Sequence, residues 1–212
     1  FLPIAESDPA TIDALTEWVF DATTSAWLTL ASQGVRVPIA ANVSGRNLHD
    51  RSLPDRLAER LHRAGMPAEM LCLEITESAA FDDTARIMDI LGRLRLKGMQ
   101  LAIDDFGTGY SSLKMLRQMP FCAIKIDQSF VTDLTSSRDS RAIVKSIIDL
   151  ASNMEMESIA EGVDSEPVAA LLEQMNAGSL QGHLIARSMP VAAVAGWLES
   201  WRETEPSVGC AA

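Results

Sequence analysis

Gln100-Leu101-Ala102-Ile103-Asp104-Asp105-Phe106-Gly107-Thr108-Gly109-Tyr110-Ser111-Ser112-Leu113 joins an apolar run, two adjacent carboxylates and a glycine-rich loop in one short stretch. The run over 100–103 is short and apolar in the manner of a buried parallel strand, which puts both carboxylates at that strand's C-terminal end. In α/β proteins, ligands and catalytic groups gather at that end. A regular strand sends successive side chains to opposite faces, so Asp104 and Asp105 can serve one site only if the chain bends at the pair. The stretch reads as a metal site beside a flexible loop.

Outward from this segment, short apolar runs alternate with helical patterns, the sign of βα architecture. Upstream, Ile12, Leu15, Val19, Ala22 and Ala26 share one helical face, and Val37-Pro38-Ile39-Ala40-Ala41 reads as a strand ending at Asn42. A helix over 53–64, a strand over 70–75 and a helix over 82–97 follow, the last stopped by Gly98. Downstream come a helix over 112–119, the strand Ala123-Ile124-Lys125-Ile126, and a helix over 138–153. Then follow the strand Ser158-Ile159-Ala160, a helix over 167–175, the strand Ser179-Leu180-Gln181, and a helix over 191–201. One domain over 1–203 is expected, with 204–212 as a disordered tail.

The six strands are parallel if the helices cross over in the usual right-handed sense. Their ends carry Asn42, Glu74 (with Glu77 beyond), Asp104 and Asp105, Lys125 (with Asp127), Glu161 and Gln181. A barrel gathers such groups around one axis, whereas a doubly wound sheet uses mainly its switch point. A (β/α)₈ barrel typically needs about 250 residues, so 212 residues with six strands imply an incomplete barrel, its remaining strands expected before Phe1.

Composition limits the partners. The net charge of -11 argues against DNA or RNA as a ligand, because such binding relies on basic surface that releases counterions. Cys72, Cys122 and Cys210 form no CxxC pair and are odd in number, which favours a reducing compartment, the cytoplasm. No apolar run approaches a membrane span, and no membrane contact by this segment is expected.

The motifs Asn42-Val43-Ser44, Glu74-Ile75-Thr76-Glu77-Ser78, Asp104 to Leu113, Lys125-Ile126-Asp127-Gln128-Ser129-Phe130, Ala160-Glu161-Gly162-Val163-Asp164 and Gln181-Gly182 occur in this order, and with them the chain resembles the EAL-domain family. That family hydrolyses the bacterial second messenger cyclic di-GMP to linear pGpG. The resemblance runs from Phe1 to about Pro190 and implies a modified TIM barrel with one antiparallel strand. It places the family's first two strands, with the Glu-Ala-Leu segment, before Phe1.

The residue types suit the implied chemistry. Two divalent ions can activate water and stabilise a leaving oxygen at a phosphodiester, and hard Mg2+ or Mn2+ prefers carboxylate and amide oxygens. By resemblance, Asn42, Glu74 and Asp104 bind one ion, and Asp104 with Asp105 binds the second. Lys125 orients water or neutralises phosphate, and Glu161 is the general base. Asp127, Asp164 and Gln181 support the metal or the substrate. Glu77 anchors the loop whose Gly107 and Gly109 allow it to change conformation. The resemblance further implies a homodimer and fusion to, or control by, a sensor, receiver or diguanylate cyclase domain.

Plainer readings compete with each of these. Phe106-Gly107-Thr108-Gly109 lacks the third glycine of GxGxxG and the Lys-Ser/Thr of a P-loop. An isolated Asp-Asp pair is more often a cap or solvated turn. Lys125 alone could be a structural ion-pair partner, and His49, His62 and His183 are too scattered for ligands. Asp164 stands where the family usually has glutamate, His183 where it has an aromatic, and Ser188 where proline is common. Receptors derived from the family lose acids from the ring, whereas every ring acid within this chain is retained. A non-catalytic cyclic di-GMP receptor or protein-interaction module is the alternative to the enzyme.

Overall fold

The computed structural model describes residues 5, 8–81, 84–109 and 113–204. Its centre is one six-stranded parallel sheet in which spatial order equals chain order: β1 (Ile39–Asn42), β2 (Leu71–Thr76), β3 (Gln100–Phe106), β4 (Ala123–Ile126), β5 (Glu157–Ala160) and β6 (Ser179–Leu180). A doubly wound sheet would reverse its order at a switch point. Here the order never reverses, so the strands form a half-barrel arc with all C-terminal ends on one rim.

Helices cover the outer face. They are α1 (Pro9–Ser32), α2 (Leu53–Ala64), α3 (Glu77–Phe81), α4 (Thr84–Leu96), α5 (Leu113–Leu116), α6 (Gln128–Thr132), α7 (Arg138–Asn153), α8 (Glu166–Gln174) and α9 (Val191–Thr204). The punctuation is local. Asp8 caps α1 by accepting from the Thr11 N–H at 3.0 Å, Pro9 occupies its first turn, and Ser137 caps α7 through the Ser140 N–H. Gly65 ends α2 at φ 66°, a left-handed angle that glycine adopts without strain.

Three expectations need correction. The buried face of α1 is Ile12, Thr16, Phe20, Thr23, Thr24, Trp27 and Leu30, not the stripe through Leu15, Val19, Ala22 and Ala26. Its threonines bury cheaply because their hydroxyls bond backbone carbonyls one turn back, as Thr16 does to Ile12 and Thr23 to Val19. The short helices α3 and α6 were not expected, since five residues are too few to show a period. The last helix runs on to Thr204, into the segment expected to be tail. The rest of that tail, 205–212, lies outside the described residues, as do the ends of two expected helices at 82–83 and 112.

The alternation within β2 explains how the core and the site share one strand. Leu71, Leu73 and Ile75 are buried outward beneath the helices, while Cys72, Glu74 and Thr76 face the axis. Leu101, Ile103, Ile124, Ile126 and Ala160 continue the outer core. Register then fixes the inner layer: Asn42 pairs with Glu74, and Thr76 with Asp104.

Candidate active site

The adjacent aspartates meet through a β-bulge. Ile103 pairs with Ile124 and Phe106 with Ile126, so three steps along β3 match two along β4. The extra residue is Asp105, at φ 53°. Aspartate tolerates this left-handed angle better than most side chains, and a bulge re-aims the side chain it displaces. The bend that the sequence requires for a shared site therefore exists. One carboxylate oxygen from each of Asp104, Asp105 and Glu161 lies within 4.8 Å of the others.

Lys125 stands beneath this group, 3 % exposed. Its Nζ lies 2.9 Å from Glu74 Oε1, 3.0 Å from Asp104 Oδ1 and 2.7 Å from Glu161 Oε1. Burial alone would lower the ammonium's pKa, but hydrogen bonds to Glu161, Glu74 and Asp104 and the Glu74 charge hold it above its ordinary value. One cation cannot neutralise three acids. Burial raises the Glu161 pKa, and the Asp104 and Glu74 charges raise it further against the opposing pull of Lys125. Burial also raises Asp105, with the charges of Asp104, Asp127 and Glu161 adding to it. The site holds surplus negative charge, the condition that a divalent cation relieves.

The remaining residues divide by position. Asn42 Nδ2 donates to Glu74 Oε2 at 3.3 Å, which ties the first strand end to the ring. Asp127 accepts from the Ser129 N–H at 2.9 Å as the cap of α6 and contacts Asp105. Gln181 is exposed, and its backbone bridges Ala160 and Val163. Asp164 is exposed, accepting from the His183 N–H at 3.0 Å, with His183 Nδ1 3.9 Å away. His49 and His62 are in no acidic cluster among the described residues.

Glu77, 3 % exposed, opens α3 directly after β2. The Gly107 and Gly109 N–H groups donate to its Oε2 at 2.9 and 3.3 Å. A side chain at Gly109 would lie 2.7 Å from Glu77 Oε1, so only glycine lets the loop close on this carboxylate. Gly107, at φ 102°, is hemmed in by Phe130 and by Ile147 of α7. Glu77→Ala is expected to leave a folded protein whose loop no longer holds Asp105, and any turnover at the acidic cluster is expected to fall by about a hundredfold, the order of loss that a 1 Å misplacement produces. Wild-type metal affinity and turnover in that variant would contradict the anchoring role.

The contact between Gly162 and Gln128 is invisible in the sequence. It follows from the pairing of β4 with β5, in which Ile126 lies opposite Ala160. Residue spacing carries no signal for it.

The family model for the EAL domain matches residues 1–188. The chain is 36% identical over 203 residues to the cyclic di-GMP phosphodiesterase NbdA of Pseudomonas aeruginosa, covering 95% of this chain and 26% of that protein. It is 37% identical over 191 residues to the bifunctional diguanylate cyclase/cyclic di-GMP phosphodiesterase MucR of the same organism, covering 90% of this chain and 28% of that one. The chain thus spans about a quarter of the length of these relatives. Among solved structures, the PaMucR phosphodiesterase in its c-di-GMP complex superposes with a TM-score of 0.86 at 36% identity, covering 92% of this chain and 78% of that one. The EAL domain of Mycobacterium smegmatis DcpA gives 0.84 at 32% identity, covering 88% and 84%.

Proposed function

We propose that this chain, which belongs to the EAL domain family, is the catalytic unit of a divalent-metal-dependent hydrolase that opens cyclic di-GMP to linear pGpG. The observation that carries this reading is the cluster of Asp104, Asp105 and Glu161 at the strand ends, with Lys125 bonded to two of them. Hard oxygen donors without thiolate or imidazole suit Mg2+ or Mn2+. Asn42, Glu74 and Asp104 would hold one ion, and Asp104 with Asp105 the second. Such a pair supplies Lewis-acid stabilisation of phosphate charge and lowers the pKa of an attacking water.

The chain's own groups complete the reaction. Glu161, its pKa raised by burial, takes a proton from the water whose oxygen attacks phosphorus. The bond from phosphorus to the ribose 3′ oxygen breaks, that oxygen takes up a proton, and the phosphate stays on the 5′ side. Lys125, held by Glu74, Asp104 and Glu161, would offset charge that builds on the phosphate. Glu77, Gly107 and Gly109 keep Asp105 in place. Asp127, Asp164 and Gln181 support the rim.

The same family reading supplies the setting. We place the protein in bacterial signalling in the cytoplasm; among the described residues no helix is long and apolar enough to cross a membrane. A homodimer is supported by the apolar face of Leu113, Ile143, Ile147 and Leu150, where Leu113 is 61% exposed next to Gly107. Control by a sensor, receiver or diguanylate cyclase domain is supported by relatives such as MucR and the oxygen sensor protein DosP of Escherichia coli, of which this chain covers 28% and 25%.

A pH experiment tests the metal reading. Asp105 and Glu161 both have folded-state pKa values above their ordinary ones, so the stability they contribute is present below the ordinary carboxylate range and is lost as pH rises through the raised values. Carboxylates shifted the other way, such as Asp8 through its hydrogen bond from Thr11, stay ionised across that window. Chelator-treated protein is expected to lose Tm between about pH 5 and about pH 8, and magnesium to raise Tm more at the upper end. A magnesium effect equal at both pH values would contradict the assignment.

A further inference from the structure

We infer that Gln128 reads a purine base of the substrate at the rim of the acidic ring. The inference rests on the phosphodiesterase reading above and adds a specificity-determining residue to it. Gln128 is the first residue of α6, fixed on one side by the Asp127 cap of Ser129. On the other side the Glu161 N–H donates to Ile126 O at 3.2 Å, locking the end of β4 to the start of the Glu161 loop. Gly162 follows at φ 69°, and the space its side chain would fill belongs to Gln128. A Cβ on Gly162 would lie 2.7 Å from Gln128 Cβ and 3.6 Å from Gln128 Oε1. The glutamine stem is therefore laid across the backbone of the residue next to Glu161.

This placement leaves the amide exposed, and among the described residues none hydrogen-bonds it. It offers one donor face and one acceptor in a fixed plane, complementary to the O6 acceptor and N1–H donor of guanine. A phosphodiester bound at Asp104, Asp105 and Glu161 carries its bases outward to this rim. A neutral amide contacts a base there without competing for the cations that hold the phosphate. Because the stem already packs on Gly162, little side-chain freedom remains to be lost on binding.

The test uses the full-length protein with magnesium and two substrates, cyclic di-GMP and bis(p-nitrophenyl) phosphate, a phosphodiester without a purine. Gln128→Ala and Gln128→Met are both expected to lower the ratio of kcat/KM for cyclic di-GMP over that for bis(p-nitrophenyl) phosphate about tenfold, the loss of roughly one to two hydrogen bonds. The change should fall in KM rather than kcat. Methionine keeps the stem over Gly162, so a filler role would leave Gln128→Met at the wild-type ratio, and that result overturns the inference alone. A wild-type protein that neither binds nor hydrolyses cyclic di-GMP overturns the phosphodiesterase reading and this one with it.

Discussion

Lys125→Met is expected to destabilise the metal-free protein by about 3–5 kcal/mol, the cost typical of removing one partner from a buried ionic group. The lysine bonds Glu74, Asp104 and Glu161, and no other cation is bonded to those carboxylates among the described residues. Its removal leaves acids facing one another in a buried ring. The pH behaviour identifies the cause. The folded-state pKa of Lys125 lies above its ordinary value of 10.5, so its stabilising contribution is whole below that value and fades only in stronger alkali. The deficit of the variant should therefore be steady from about pH 7 to about pH 10 and shrink toward about pH 5, where the freed carboxylates take up protons. Millimolar magnesium should restore part of the stability by replacing the lost positive charge, while turnover stays at least about a hundredfold below wild type. Urea unfolding with and without chelator measures the first effect. A deficit under about 1 kcal/mol at neutral pH would show that the lysine is not the hub of the ring.

Asp104→Asn is expected to lower kcat at least about a thousandfold, since Lewis-acid stabilisation at a phosphodiester is worth several kcal/mol and each 1.4 kcal/mol is tenfold in rate. Asp104 is the residue on which both halves of the site converge. It bonds Lys125 at 3.0 Å, pairs in register with Thr76, and groups with Asp105 and Glu161. The amide matches the carboxylate in size, so the bulge and its neighbours stay packed. What is lost is charge. Stability of the metal-free variant should hold or rise, because one of three crowded acids is gone. Stability gained from added magnesium should fall with activity. Retention of more than about a tenth of wild-type kcat would remove Asp104 from the metal-binding role.

Much of this arrangement was legible in the sequence, for reasons that differ by residue. The apolar strands and their polar ends declared the parallel sheet, because alternation and run length are local properties. The requirement for a bend at Asp104-Asp105 followed from strand geometry, and Asp105 supplies it as a bulge at φ 53°. Glu77 lay one residue beyond Thr76, and its grip on Gly107 and Gly109 was foreshadowed by family likeness rather than spacing. The individual contacts were not legible. Glu161 and Asp104 are far apart in the chain, and the order β3-β4-β5 sets Lys125 between them. The buried face of α1 does not follow its apolar residues, because buried threonines, hydrogen-bonded to their own helix, interrupt the apolar period. The hydrogen bond from the His183 N–H to Asp164, placed with the rim by likeness, has no signal in the sequence either.

The most direct test of the account is to incubate the full-length protein with cyclic di-GMP and magnesium, with a chelator control, and to separate the nucleotides by chromatography. Linear pGpG is expected to accumulate with magnesium and to be absent with chelator. Cyclic di-GMP that is bound at saturating protein but recovered intact in magnesium would contradict it, and would make the acidic ring a receptor site rather than a catalytic one.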